Sequence, residues 1–335
     1  MHALTAVLLA LPITALAGNP HEGSQRRKHW ETRNVAHARR GVTYQLEDDY
    51  SGQNFFDGWT FDTEADPTHG LVDFVSDTVA QVSQLAYVQS DNTVVVAVDD
   101  TTNLTAGANR NSIRITTKKT YNGGLFVADF FAMPHGCGVW PAYWSVGPNW
   151  PDAGEIDILE GVNLQTDNQI TLHSSPNCTI TNADAATGHL VNPTCTSSNG
   201  NNAGCAYAQS GGNSFGHGFN MMAGGVFAHL WDQTGISVWF FPRTEIPQDI
   251  SNGNPDPSSW GAPVALFPNN DSCDTTAHFH DHSLVIDTTL CGDWAGNSFG
   301  GDGCPGTCAD FILNANNFQL AKWMISSIKV YQPQS

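Results

Sequence analysis

The residues best able to do chemistry lie in one short run, Gly154-Glu155-Ile156-Asp157-Ile158-Leu159-Glu160-Gly161. Only 13% of the chain is charged, yet three carboxylates fall within six positions here. Paired carboxyl groups can divide the work of nucleophile and general acid/base. Ile156, Ile158 and Leu159, set between the acids, need a core. An extended strand meets both demands, because alternate side chains leave opposite faces: Glu155 and Asp157 share one face, Ile156 and Ile158 the other. Glu160 falls out of that alternation. One inserted residue, a β-bulge near Ile158-Leu159, returns it to the face of Glu155 and Asp157. A solvent-facing acidic edge strand is the alternative.

Trp140, Trp144 and Trp150 all lie within fifteen residues upstream of Glu155. Aromatic faces stack on the apolar faces of sugar rings, although most tryptophans in globular proteins are core residues. Acids beside aromatics favour a carbohydrate site. Arg110 and Arg114 are among the seven basic residues of 41–335, and Arg110 is a candidate for sugar hydroxyls, with an ion pair to a surface Asp as the alternative. His278-Phe279-His280-Asp281-His282 spaces three histidines as ligands on a strand face are spaced; surface histidines in a loop are the plainer reading, so no metal is expected.

The elements that must position these groups read as short strands between turns. Segments 71–75, 93–98, 112–117, 125–131, 226–231, 236–241 and 325–331 are predicted strands, several alternating apolar and polar residues. Loops rich in Gly, Asn, Pro and Ser fill 192–220 and 251–275, and one short helix is expected over 308–316. Many strands without βαβ spacing predict an all-β sandwich or jelly roll in one domain over 41–335.

Composition narrows the function. The chain of 335 residues has 32 acidic and 13 basic residues, a net charge of −19, which argues against nucleic-acid or anionic-membrane partners. Residues 3–17 form an apolar run ending Ala15-Leu16-Ala17, which reads as a signal peptide over 1–17. Arg39-Arg40 then closes a polar segment, 18–40, read as a pro-segment removed after Arg40. That first 40 residues hold six basic and two acidic residues, so 41–335 alone has 7 basic and 30 acidic and a net −23. A secreted, extracellular, monomeric product is expected. Its eight cysteines suggest disulfides, with 105 possible connectivities. Asn103, Asn177 and Asn270 head glycosylation sequons.

The motif Glu155-Ile156-Asp157-Ile158-Leu159-Glu160 resembles the catalytic signature of glycoside hydrolase family 16. The surroundings resemble its fungal endo-1,3(4)-β-glucanases, the basidiomycete laminarinase type, through Asp66-Pro67-Thr68-His69-Gly70, Gly136-Cys137-Gly138-Val139-Trp140-Pro141-Ala142, Thr171-Leu172-His173 and Cys291-Gly292-Asp293-Trp294-Ala295-Gly296. The resemblance implies a concanavalin A-like β-jelly-roll of two antiparallel sheets with a substrate cleft along the concave face, acting on β-glucan with retention of configuration. It implies Glu155 as nucleophile, Glu160 as acid/base and Asp157 as the residue orienting the nucleophile. Trp144, Trp150 and Trp294 would be sugar platforms, and His173 would face the site from the neighbouring strand. Mutual repulsion should leave one carboxyl protonated to higher pH, and Glu160 is the expected one. No cofactor is implied; relatives can carry a structural calcium ion, but no loop here announces one. A transglycosylase and a non-catalytic glucan-binding protein are the competing readings, the second disfavoured by the retained acids.

Overall fold

The computed structural model describes residues 42–181, 185–198 and 201–334. The expected signal peptide and pro-segment lie outside them. Among the described residues the strands gather into two eight-stranded sheets and one two-stranded sheet. The first sheet runs Ala265–Pro268, Gly235–Pro242, Gly225–Asp232, Gly124–Ala132, Lys322–Pro333, Val94–Ala97 and Ala86–Val88, and Tyr44–Ser51 also pairs with Lys322–Pro333. The second runs His189–Asn192, Cys205–Ala208, Gln169–His173, Glu155–Glu160, Val139–Val146, Ser283–Leu290, Arg114–Thr117 and Trp59–Phe61. Every pairing within both is antiparallel. The order mixes strands distant in sequence, so the chain crosses repeatedly between sheets, as in a jelly roll.

One buried cluster joins the two sheets. Tyr143, Ile156, Ile158, Leu159, Ile170, Leu172 and Ile286 of the second sheet meet Phe126, Phe130, Phe227, Trp323 and Ile328 of the first. Phe130 and Tyr143 touch edge to face at 5.4 Å. Each fully buried large apolar side chain contributes about 1.5–3 kcal/mol. The same alternation that sends Tyr143 inward sends Trp140 and Trp144 out on the opposite face.

The predicted strands appear with their ends moved by a few residues, with one difference of substance. The segment 112–117 is divided at Ile113, which is buried in the core. Arg110–Ser112 pairs in parallel with Val72–Phe74, while Arg114–Thr117 enters the second sheet. The helix expected over 308–316 is a single turn, Cys308–Phe311, capped by Thr307, and Asn314 starts a separate 3-10 turn at Ala315–Phe318. The polar loops 192–220 and 251–275 contain the strand Cys205–Ala208, between His189–Asn192 and Gln169–His173, and the edge strand Ala265–Pro268.

The eight cysteines form four disulfides: Cys137–Cys304, Cys178–Cys273, Cys195–Cys205 and Cys291–Cys308. The first and last sit in a smaller core with Val139, Leu290, Phe299 and Ile312. That core underlies the turn Gly292–Gly296, which carries Trp294.

Candidate active site

The strand Glu155–Glu160 holds a central place in the second sheet and carries the bulge. Towards Val139–Val146, Asp157 pairs with Trp144 and Leu159 with Tyr143, so Ile158 has no opposite number. Towards Gln169–His173, Asp157 pairs with Thr171 and Glu160 with Gln169, so Ile158 and Leu159 together face Ile170. Two consecutive apolar residues thereby enter the core, and Glu160 returns to the face of Glu155 and Asp157.

Cross-strand partners share a face, so the register maps the site. One rung reads His173, Glu155, Val146, Ser283; the next Thr171, Asp157, Trp144, Val285, Thr116; the third Gln169, Glu160, Ala142, Asp287, Arg114. His173 Nε2 lies 3.3 Å from Asp157 Oδ2 and 3.7 Å from Glu155 Oε1, and its Nδ1 is 2.9 Å from Ser197 Oγ. Trp140 Nε1 donates to Glu160 Oε1 at 2.9 Å. Asp157 is 3% exposed at its side chain against 17% for Glu155, so the glutamate is the carboxyl that a ligand can reach.

Burial and the neighbouring Asp157 push both Glu155 and Glu160 up to about 8. His173 and Arg114 pull Glu155 back towards its anion, and the Trp140 N–H does so for Glu160. Asp157 is raised well above the usual carboxylate range by burial and then by Asp287. Asp287 is itself pushed up to about 7 by burial, against the opposing pull of Arg114. This buried acidic face therefore holds protons at neutral pH, and can both donate one and carry a limited negative charge.

The tryptophans divide along the face. Trp150, 39% exposed, leans over His173 at 6.4 Å between rings. Trp144 lies under the Arg114 guanidinium at 4.9 Å. Trp294 meets Trp140 edge to face at 5.6 Å, beside Glu160. Arg114 and Asp287 are site residues that sequence reasoning did not assign, and Trp140, named there among the aromatics, had no individual role. An aspartate among the apolar residues of Ser283–Leu290 is a signal that could have found Asp287.

Arg110 is a correction. It is fully buried, donates to the carbonyls of Ile312, Asp99 and Thr102, and stacks over Phe318 at 4.8 Å. It braces the edge of the fold and cannot meet a sugar; the strand break at Ile113 gives the site Arg114 instead. The three alternating histidines do not share a face. His278 ends a helical turn and meets Ser175, His280 meets Asp281, and buried His282 bridges Ser145 Oγ and Ala153 O. Among the described residues, Glu155, Asp157 and His173 form the group that could hold a metal ion, their ligand atoms lying within 4.8 Å of one another.

A jelly roll that lines one sheet face with paired glutamates, a buried aspartate and tryptophans has the form of a carbohydrate-active domain. A family model described as the XgeA-like, catalytic GH16 domain matches residues 59–331, and the chain belongs to that branch of glycoside hydrolase family 16. The chain is 43% identical over 306 residues to a probable endo-1,3(4)-beta-glucanase of Aspergillus fumigatus, covering 88% of this chain and 46% of that protein. It is 43% identical over 295 residues to a probable glycosidase of Schizosaccharomyces pombe, covering 87% and 70%. The chain thus spans about half the length of the Aspergillus relative. Laminarinase 16A from Phanerochaete chrysosporium, solved with 6-O-glucosyl-laminaritriose in donor and acceptor sites, aligns with a TM-score of 0.84 at 42% identity, covering 87% of this chain and 100% of that one. A GH family 16 beta-1,3-glucosyltransferase described as elongating aligns at 0.82 and 40% identity, covering 86% and 100%.

Proposed function

We propose that the chain is the catalytic domain of a secreted, monomeric endo-β-glucanase that hydrolyses β-1,3-glucan and β-1,3/1,4 mixed-linkage glucan with retention of configuration and without a cofactor. The observation that carries this reading is the bulged strand, which brings Glu155, Asp157 and Glu160 to one face among tryptophans. The likeness to a laminarinase holding glucan oligosaccharides supports the substrate class.

In this reading Glu155, as its carboxylate, attacks the anomeric carbon while Glu160 gives its proton to the departing glycosidic oxygen. A glycosyl ester forms on Glu155 and the leaving sugar departs as an alcohol. Glu160, now ionised, takes a proton from water, whose oxygen displaces Glu155 and restores both groups. His173 and Arg114 favour the charge at Glu155. Asp157, buried beside it and raised well above the usual carboxylate range, orients the nucleophile. Loss of the charge on Glu155 in the ester relieves the cluster and eases ionisation of Glu160. Trp144, Trp150 and Trp294 offer faces for successive sugar rings.

A second reading, transfer of the glycosyl group to another sugar, draws on the likeness to the elongating glucosyltransferase. Digestion of laminarin, lichenan, carboxymethyl-cellulose and xyloglucan with product sizing tests both. Shortened products from laminarin and lichenan are expected; products longer than an oligosaccharide substrate would favour transfer, and cleavage of xyloglucan alone would overturn the substrate class.

A further inference from the structure

The bulge that delivers Glu160 has a cost in backbone pairing. Ladder bonds are interrupted on both sides between Asp157 and Glu160, in a stretch where Ile158 and Leu159 are fully buried. Unpaired backbone groups there would each cost about 1–3 kcal/mol. One side chain meets this need. Asn168 Nδ2 donates to the Ile158 carbonyl at 2.8 Å, and the Glu160 N–H donates to Asn168 Oδ1 at 2.9 Å. The amide is thus a prosthetic rung across the bulge, with its acceptor on the backbone of Glu160 itself.

Asn168 is in turn held. It is fully buried, its N–H donates to Ser214 Oγ at 2.9 Å, and its carbonyl accepts from the Gln209 N–H at 3.0 Å. Only a planar group with one donor and one acceptor at this separation can bridge the two backbone groups at once. We propose that Asn168 is a positioning residue for the acid/base: its side-chain amide fixes the bulge and hence where the Glu160 carboxyl stands relative to Glu155. This inference rests on the catalytic reading of Glu160 given above.

The amide makes a specific test available. Asn168→Ala removes both bonds. Asn168→Asp keeps both only while the new carboxyl is protonated, with its O–H donating to Ile158 and its carbonyl accepting from Glu160; ionised, it sets an anion against the Ile158 carbonyl. Asp167 precedes it in the chain and Glu160 bonds it across the bulge, and the 209–214 loop on its other side carries no titratable group. All of these surroundings favour the protonated carboxyl at acid pH.

Steady-state laminarin hydrolysis by Asn168→Ala, Asn168→Asp and Glu160→Gln should be followed from pH 4 to 8, with circular dichroism at each pH. Asn168→Ala is expected to lose about 100-fold in kcat, as for an ångström-scale misplacement of a catalytic group, with KM within about threefold. Asn168→Asp should approach wild-type kcat at pH 4–5 and fall towards the alanine variant as pH rises, while staying folded. A purely structural residue would shift stability without this pH-dependent rescue. Folded Asn168→Ala with wild-type kcat, or Asn168→Asp matching the alanine variant at every pH, overturns the inference. Should Asn168→Ala not fold, the pH profile of Asn168→Asp decides alone. Full activity of Glu160→Gln would instead overturn the catalytic reading, whatever the Asn168 variants do.

Discussion

Replacing Glu155 by Gln should stabilise the protein at neutral pH and leave its stability unchanged at acid pH. The Glu155 carboxyl is pushed from 4.5 up to about 8 by burial and by Asp157. The sign follows from proton linkage. Below 4.5 the group is protonated in both folded and unfolded chains and contributes nothing to the difference. Between 4.5 and 8 the unfolded chain ionises while the folded site holds its proton, so stability falls by about 1.4 kcal/mol per pH unit; above 8 the loss is complete. At pH 7 the group therefore costs about 3 kcal/mol, an amount Gln does not incur because it never ionises. The buried amide is desolvated about as much as the neutral carboxyl it replaces, so roughly 2–3 kcal/mol of that gain should remain. Urea unfolding of wild type and Glu155→Gln, followed by tryptophan fluorescence, would measure it. The variant should be more stable by that margin at pH 7 and equal to wild type at pH 4. Equal effects at both pH values, or a loss of stability confined to pH 7, would refute the claim that folding stores proton affinity in this cluster.

Other consequences follow from single contacts. Trp140→Phe removes the donor that favours the Glu160 anion, so the alkaline limb of the kcat profile, expected near pH 8, should move upward by about one pH unit. Arg110→Ala leaves the buried carbonyls of Ile312 and Asp99, and the part-buried one of Thr102, without this donor and should cost about 3 kcal/mol or more in urea unfolding, while KM of the folded enzyme stays unchanged. Dialysis against EDTA should leave laminarin hydrolysis intact, because the proposed chemistry uses Glu155, Asp157 and His173 as proton and charge carriers and not as ligands; loss of activity restored by one divalent cation would assign that trio to a metal.

What was legible in the sequence, and what was not, follows from the range of the forces involved. The bulge could be read because its cause is local: two adjacent apolar residues between acids force one side chain out of register. The sandwich could be read for the same reason, from alternation within single strands. The exchange of Arg110 for Arg114 depends on Ile113, whose burial ends one strand and begins another in a different sheet. No local pattern marks that break. Asn168 sits in a polar turn and looks like any turn asparagine until the fold sets it against the bulge. His282 shares its spacing with two half-buried histidines, His278 and His280, yet its own ring is fully buried between Ser145 and Ala153. Disulfide pairing likewise joins residues up to 167 positions apart, a distance at which spacing carries no information.

The central claim is that Glu155 attacks carbon and Glu160 moves the proton, and the anomeric configuration of the first product tests it most directly. Proton NMR of laminari-oligosaccharide hydrolysis, recorded before mutarotation, should show the β-anomer appearing first and the α-anomer only later at the rate of spontaneous equilibration. Initial release of the α-anomer would mean that water attacks directly, and would contradict the assignment of Glu155 as nucleophile.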